Sequence, residues 1–149
     1  MSLGLNGSNQ NQADAGLRTL QVIWLMMLVS VTALFVITRL IEPPVKDAQG
    51  NKILFWMLWG LGFLTFGASF VMRFKLLKQA VAGQKPEMVR SAYIIAFALC
   101  EATAIFGLLA YFITGIQYYY LFFVLSGFGI LLHKPQRDDV LAAYREDKF

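Results

Sequence analysis

The sequence predicts an all-α, polytopic membrane protein with four transmembrane helices that form two helical hairpins. Of its 149 residues, 58% are hydrophobic and only 15% are charged, so the chain has more apolar surface than one small soluble domain can bury. Apolar stretches at residues 20–38, 53–72, 91–114 and 118–132 approach the length of about 20 residues that a membrane crossing needs. A similarity between the two halves of the chain predicts the hairpins.

The regions outside these stretches are polar. Residues 1–17 are rich in Asn, Gln, Ser and Gly, and they predict a flexible tail before a transmembrane domain at residues 18–133. Residues 134–149 alternate charged and apolar side chains, which predicts a short surface helix. The first apolar stretch is long and lacks a small-residue cleavage site, so we expect it to remain in the protein.

The charges predict the orientation in the membrane. Between the second and third stretches there are five basic residues and a single acid, Glu87. The connection between the first and second stretches has two acids and two lysines. Basic connections remain in the cytoplasm, so we expect both termini to be cytoplasmic, in a bacterial inner membrane. Topology therefore explains the net charge of +4, and we expect no nucleic-acid partner.

An internal repeat is indicated by residues 54–64 and 121–131, which share six identical positions. In this alignment Gly60 matches Gly127, and Gly62 matches Gly129. Residues 30–35 and 101–106 also share Thr, Ala and Phe in register. The pattern predicts duplication of a helical hairpin, with both copies in the same orientation.

Small residues within the stretches predict close helix packing, because backbones approach each other where side chains are small. The third stretch carries them at the three- and four-residue spacing of a helix interface. The predicted packing positions are Gly60, Gly62, Gly67, Ala96, Cys100, Thr103, Gly107, Gly127 and Gly129. The partner helix is in the same chain or in another one.

Glu101 is the only acidic or basic residue within the four stretches. It lies roughly 16 Å along the third helix from Arg90, near the membrane midplane. A charged carboxylate at that depth is energetically unfavourable, so we expect it to face the bundle, pair with a donor or stay protonated. It is either a proton- or cation-binding group or a hydrogen-bond donor that holds helices together. The predicted partners are Thr32, Thr65, Ser69, Thr103 and Ser126.

Two segments carry a family resemblance: Gly83-Gln84-Lys85-Pro86-Glu87 with Arg90, and Glu101-Ala102-Thr103-Ala104-Ile105-Phe106-Gly107-Leu108. Over residues 56–115 the chain resembles the c subunit, or proteolipid, of rotary ATP synthases. The resemblance implies that Glu101 carries a proton. It also implies that Gln84, Pro86 and Arg90 lie in a loop that contacts a partner, and that the glycines support packing into a ring.

The sequence contains no pattern typical of an enzyme. We find no nucleophile with its base, no carboxylate pair and no thiolate metal site, and the only histidine, His133, is predicted at a membrane interface. We therefore expect no catalysis, cofactor or metal. The predicted partners are the lipid bilayer and either further copies of the chain or other membrane subunits. The alternative function is a structural or accessory subunit in which Glu101 only bonds helices together.

Overall fold

The computed structural model describes residues 7–42 and 52–144, which form helices and short connections with no strand. The helices are α1 (Gly7–Leu40), α2 (Lys52–Ala82), α3 (Pro86–Thr114), α4 (Tyr120–Leu132) and α5 (Arg137–Tyr144), with a 3₁₀ turn at Gln117–Tyr119. The prediction of an all-α protein is confirmed for these residues.

Three helices are long and apolar enough to cross a membrane: residues Gln10–Leu40 of α1, all of α2 and all of α3. Each exceeds about 40 Å at 1.5 Å per residue, against a hydrocarbon layer of about 30 Å. These helices indicate an integral membrane protein. The fourth predicted crossing is a shorter apolar helix, of which α4 contributes 13 residues, or about 20 Å.

The predicted hairpin repeat is not confirmed. Helices α2 and α3 form the most extensive antiparallel pair, and α3 also packs on α1, α4 and α5. Helices α1 and α2 make no direct contact within the described residues, so the first predicted hairpin does not pack as one. The central element is α3, because its small residues let the other helices approach it.

The first helix starts earlier than predicted. Residues 1–17 were expected to be a flexible tail, but α1 begins at Gly7 and continues without interruption to Leu40. Ala13 and Leu20 are buried, and α1 packs on α5. This contact covers the apolar side of an otherwise polar segment, which accounts for its helical structure.

The basic connection between α2 and α3 is shorter than predicted, because α2 continues to Ala82. The turn is Gly83–Lys85, and Gln84 has the positive φ of 49° that reverses the chain. The Gly83 and Lys85 amides donate to the last carbonyls of α2, and Pro86 is well suited to begin α3 because a first-turn residue needs no amide donor.

The helices alternate in direction, and two contacts mark the ends of the bundle. At the end that holds α5, Arg137 binds Asp14 near the start of α1. At the opposite end, the Tyr111 hydroxyl near the end of α3 donates to the Ile41 carbonyl just after α1. Within the predicted C-terminal segment, residues Arg137–Tyr144 form α5, and residues 145–149 lie outside the described part of the chain.

The predicted packing glycines divide into two groups. A Cβ added to Gly107 would lie 2.6 Å from the Cβ of Phe122, one added to Gly129 would lie 2.7 Å from the Cys100 Sγ, and one added to Gly62 would lie 3.0 Å from the Phe122 ring. Gly60, Gly67 and Gly127 have no such neighbour within 4 Å. The first group fits within the bundle, and the second group faces outward.

Candidate functional site

Glu101 lies near the middle of α3, about 20 Å from either end of the helix at 1.5 Å per residue. The Ser30 hydroxyl of α1 donates to its Oε1 at 2.5 Å. Glu101 is partly exposed on the outer side of α3, where Ile105 and Leu109 of the following turns are also exposed. The carboxyl group is therefore held by one neighbouring helix without being enclosed by the bundle.

None of the five predicted hydroxyl partners binds Glu101. Thr65 and Thr103 bind each other at 3.0 Å, Thr32 donates to the Leu28 carbonyl of its own helix, and Ser69 binds His133. The Ser126 hydroxyl is buried without a hydrogen-bond partner among the described residues. Ser30 was missed because α1 approaches α3 at a point that no sequence pattern marks.

The residues of the family resemblance do not form one site. Gln84 lies in the α2–α3 turn, Pro86 begins α3 and Arg90 is exposed on its second turn. Pro86 is about 22 Å along α3 from Glu101 at 1.5 Å per residue. The turn and the carboxyl group are therefore separate features of the molecule.

A line of polar pairs runs along the contact between α2 and α3, and we call it the polar ladder. It consists of Thr65 with Thr103, Ser69 with Cys100 at 3.6 Å, and Arg73 with Tyr93 at 3.0 Å. Thr65, Ser69 and Arg73 recur every four residues, which places them on one face of α2. The ladder leads from the middle of the bundle to the end that holds α5.

The ladder ends in a cluster of four side chains, Arg73, Tyr93, His133 and Asp139, which we call the Arg73 cluster. They come from α2, α3, the residue after α4, and α5. The Arg73 Nη2 donates to Asp139 Oδ2 at 3.1 Å, and the Tyr93 hydroxyl donates to the same oxygen at 2.5 Å. The guanidinium also lies over the Tyr93 ring, 4.7 Å from its centroid. Four elements thus meet at one ion pair.

His133 is fully buried between this ion pair and the ladder. Its Nε2 lies 3.0 Å from the Ser69 hydroxyl, and its Nδ1 lies 3.3 Å from the Arg73 Nη1. Burial and, to a smaller extent, the positive charge of Arg73 together lower the pKa of His133 to about 4. The imidazole is therefore neutral at pH 7, and its Nδ1 can accept a hydrogen bond from the Arg73 Nη1. His133 was predicted at the membrane interface, at the end of the fourth apolar stretch; it directly follows α4, and its side chain is buried in the bundle.

A cavity of about 440 Å³ lies at the opposite end, between the start of α2 and the α3–α4 connection. Most of the described side chains that line it are aromatic or aliphatic, and Lys52 is the charged one among them. In the described part of the chain, no group of three His, Cys, Asp or Glu side chains could hold a metal ion. The Arg73 cluster and Glu101 are therefore the candidate functional groups of the described residues.

Comparison with known proteins returns no significant match to a family model, a curated protein or a solved structure. The assignment of function therefore depends on the geometry of this chain.

Sequence reasoning missed the Arg73 cluster. Arg73 was counted among the basic residues of a cytoplasmic connection, and Tyr93, His133 and Asp139 were not connected to it. One signal was available: the four-residue spacing of Thr65, Ser69 and Arg73 indicates a polar face on α2. Nothing in the sequence indicates that Asp139, 66 residues later in the chain, pairs with that face.

Proposed function

We propose that this chain is a non-enzymatic integral membrane protein in which Glu101 binds a proton within the membrane. The observation that carries the proposal is the Glu101 carboxyl group, which is partly exposed at the middle of α3 and receives one hydrogen bond from Ser30. A charged carboxylate at that depth is costly unless water or a cationic partner approaches it. Partial exposure makes such an approach feasible.

Ser30 has a specific role in this proposal. A hydroxyl can donate to a carboxylate, and it can also accept a hydrogen bond from a protonated carboxyl group. Ser30 on α1 can therefore satisfy Glu101 in both states without a change in helix packing. If Glu101 only held helices together, Ser30 would need to bind just one of its two protonation states.

We further propose four crossings with both termini in the cytoplasm. The end of the bundle that holds α5 carries Arg73, Lys134 and Arg137, which favours the cytoplasmic side. The apolar segment Gln117–Leu132 reaches about 24 Å at 1.5 Å per residue. It is a few ångströms shorter than the hydrocarbon layer, a mismatch that local thinning of the bilayer accommodates.

The resemblance to c-type proteolipids leads us to propose self-association. Gly60, Gly67 and Gly127 have nothing within 4 Å of an added Cβ, so these positions leave room for a helix of another copy to approach closely. Their exposure supports the proposal, because glycines that served only the bundle would face inward as Gly62 and Gly107 do. Other membrane subunits are the alternative partners.

A second candidate function is a structural or accessory subunit, and the same hydrogen bond favours it. The Ser30–Glu101 bond joins α1 to α3, and in the described part of the chain no Cα atom of α1 lies within 8 Å of one in α2. In this candidate, Glu101 remains protonated and bound to Ser30, and it only fixes the position of α1.

Reaction with a hydrophobic carbodiimide tests the two candidates, because the reagent modifies protonated carboxyl groups in apolar surroundings. The purified protein in mild detergent is labelled between pH 5 and pH 9, and the modified residue is found by mass spectrometry. Proton binding predicts labelling at Glu101 that falls as the pH rises. Glu101→Gln should abolish the labelling, whereas Glu87→Gln, at an exposed acid outside the middle of the bundle, should leave it unchanged. No labelling at any pH would exclude a reachable proton site and support the structural subunit.

A further inference from the structure

We propose that Arg73, Tyr93 and His133 form a carboxylate-binding site, that Asp139 is its built-in ligand, and that α5 is therefore a detachable lid on the end of the bundle. The site is independent of Glu101 and of the function proposed for it. The inference depends on the contacts, burial and charge of these side chains.

The donors of the site converge on one oxygen. The Asp139 Oδ2 accepts from the Arg73 Nη2 and from the Tyr93 hydroxyl. A charged donor and a phenol on one carboxylate oxygen form a strong, directional pair of hydrogen bonds. The Gln136 amide, just before α5, donates to the Tyr93 oxygen at 3.2 Å, which fixes the start of the lid against the same side chain.

The positively charged part of the site is formed by residues outside α5. Arg73, Tyr93 and His133 are contributed by α2, α3 and the end of α4, and these elements pack on one another independently of α5. His133 is neutral at pH 7, so Arg73 is the charged member of this part of the site. The Arg73 Nε is buried and has no hydrogen-bond partner among the described residues. The bundle therefore presents a positive charge with a spare donor, which an anion must neutralise.

Apart from Asp139, the lid is held by apolar contacts and by one exposed ion pair. It has eight residues and packs on α1, α2 and α3, with Val140 and Ala143 buried and Leu141 partly buried among its described side chains. Its other ion pair, Arg137 with Asp14, is half-exposed and contributes little to stability. Asp139 is consequently the main polar attachment of α5, and its removal should open the lid without unfolding the bundle.

A thiol introduced by Ala143→Cys reports opening of the lid, because Ala143 is 2% exposed when α5 is docked. Its rate of labelling by a water-soluble maleimide is measured by mass spectrometry, which separates it from the buried Cys100. We expect Asp139→Asn to raise this rate at least about tenfold, because it leaves the buried guanidinium without a charged partner. Asp138→Asn, at the exposed neighbouring acid, is the matched control and should leave the rate unchanged. Equal labelling rates in Asp139→Asn and Asp138→Asn would overturn the proposal that α5 is a lid.

Two further measurements test the carboxylate site, and the first retains Asp139, so it remains possible if Asp139→Asn does not fold. Tyr93→Phe keeps the ring and removes only the hydroxyl, and it should raise the labelling rate by a smaller factor. In Asp139→Ala, acetate should raise the midpoint of thermal unfolding, whereas acetamide, its neutral analogue, should not at the same ionic strength. An unchanged labelling rate in Tyr93→Phe, or equal effects of acetate and acetamide, would overturn the carboxylate site.

Discussion

Two glycines show how closely α4 approaches its neighbours. We expect Gly107→Ala to lower the free energy of unfolding by about 1–3 kcal/mol, because the new methyl group would lie 2.6 Å from the Cβ of Phe122. Gly129→Ala should have a similar effect through Cys100 and Phe66. Thermal and denaturant unfolding in mild detergent measure both.

Gly60→Ala is the matched control for this prediction. Gly60 is also within an apolar helix, but nothing lies within 4 Å of its added Cβ. We expect a change of less than about 0.5 kcal/mol in the monomer. An equal loss at Gly60 and Gly107 would contradict the close approach of α3 and α4.

His133 makes stability depend on pH. Its pKa is about 4 in the folded chain, against an ordinary value of 6.5. As the pH falls below 6.5, the unfolded chain takes up a proton that the folded chain does not, so the free energy of unfolding should decline down to about pH 4. The decline attributable to His133 is at most about 3 kcal/mol.

Unfolding measured from pH 7.5 to pH 4 in the unmodified chain and in His133→Gln tests this prediction. The other ionisable residues are the same in both proteins, so the difference between the curves isolates His133. The two curves should diverge below pH 6.5. Parallel curves would show that the imidazole is not buried in neutral form.

At the residue scale, the sequence identified the side chains whose role can be recognised from the residues around them in the chain. It marked Glu101 because a single charge stands out in an apolar helix, and it marked Gly62, Gly107 and Gly129 because small residues recur at helical spacing. It could not predict the partner Ser30 or the Arg73 cluster. Both depend on contacts between residues that are 20 to 71 positions apart, and no periodic pattern records such contacts.

Helix α5 is fixed to the bundle by two ion pairs of unequal burial. The side chains of Arg73 and Asp139 are 17% and 28% exposed, whereas those of Arg137 and Asp14 are 56% and 45% exposed. We expect Asp14→Asn to lower the free energy of unfolding by no more than about 1 kcal/mol, because water screens the exposed pair. Denaturant unfolding measures this change.

Arg73→Met is the contrasting variant, since it removes the charge and keeps much of the side-chain length. It leaves Asp139 partly buried without its partner, so the loss should be several-fold larger than for Asp14→Asn. If Asp14→Asn were the more destabilising of the two, the first turns of α1 rather than the Arg73 cluster would hold α5.

The elements were predictable where apolar length decides the structure. Helices α2 and α3 contain the predicted stretches at residues 53–72 and 91–114, because an apolar segment of that length must satisfy its backbone internally as a helix. The ends were not predictable. Helix α1 gains its first turns from contact with α5, and α2 continues through Arg73 because Tyr93 and Asp139 bind that charge.

For the whole molecule, the internal similarity corresponds to partly equivalent environments. Gly62 and its sequence equivalent Gly129 both pack against side chains, and Gly60 and its equivalent Gly127 both face open space. Ser30 and Glu101 occupy equivalent positions in the alignment, and they bind each other. The arrangement is nevertheless unequal, because α3 packs on α4 whereas α1 does not pack on α2. A duplication would therefore have been followed by divergence of the two halves.

The outward-facing glycines provide the test of assembly. If copies associate through α2, Gly67→Leu should reduce the fraction of oligomer by about tenfold in native mass spectrometry, because a branched side chain separates the two backbones. The free energy of unfolding of the monomer should be unchanged, since nothing lies within 4 Å of the added Cβ. Gly16→Leu, at another open glycine near the start of α1, should leave the oligomer intact. Equal assembly in both variants would assign the α2 glycines to contact with lipid, and a closed ring would then require a different face of the bundle.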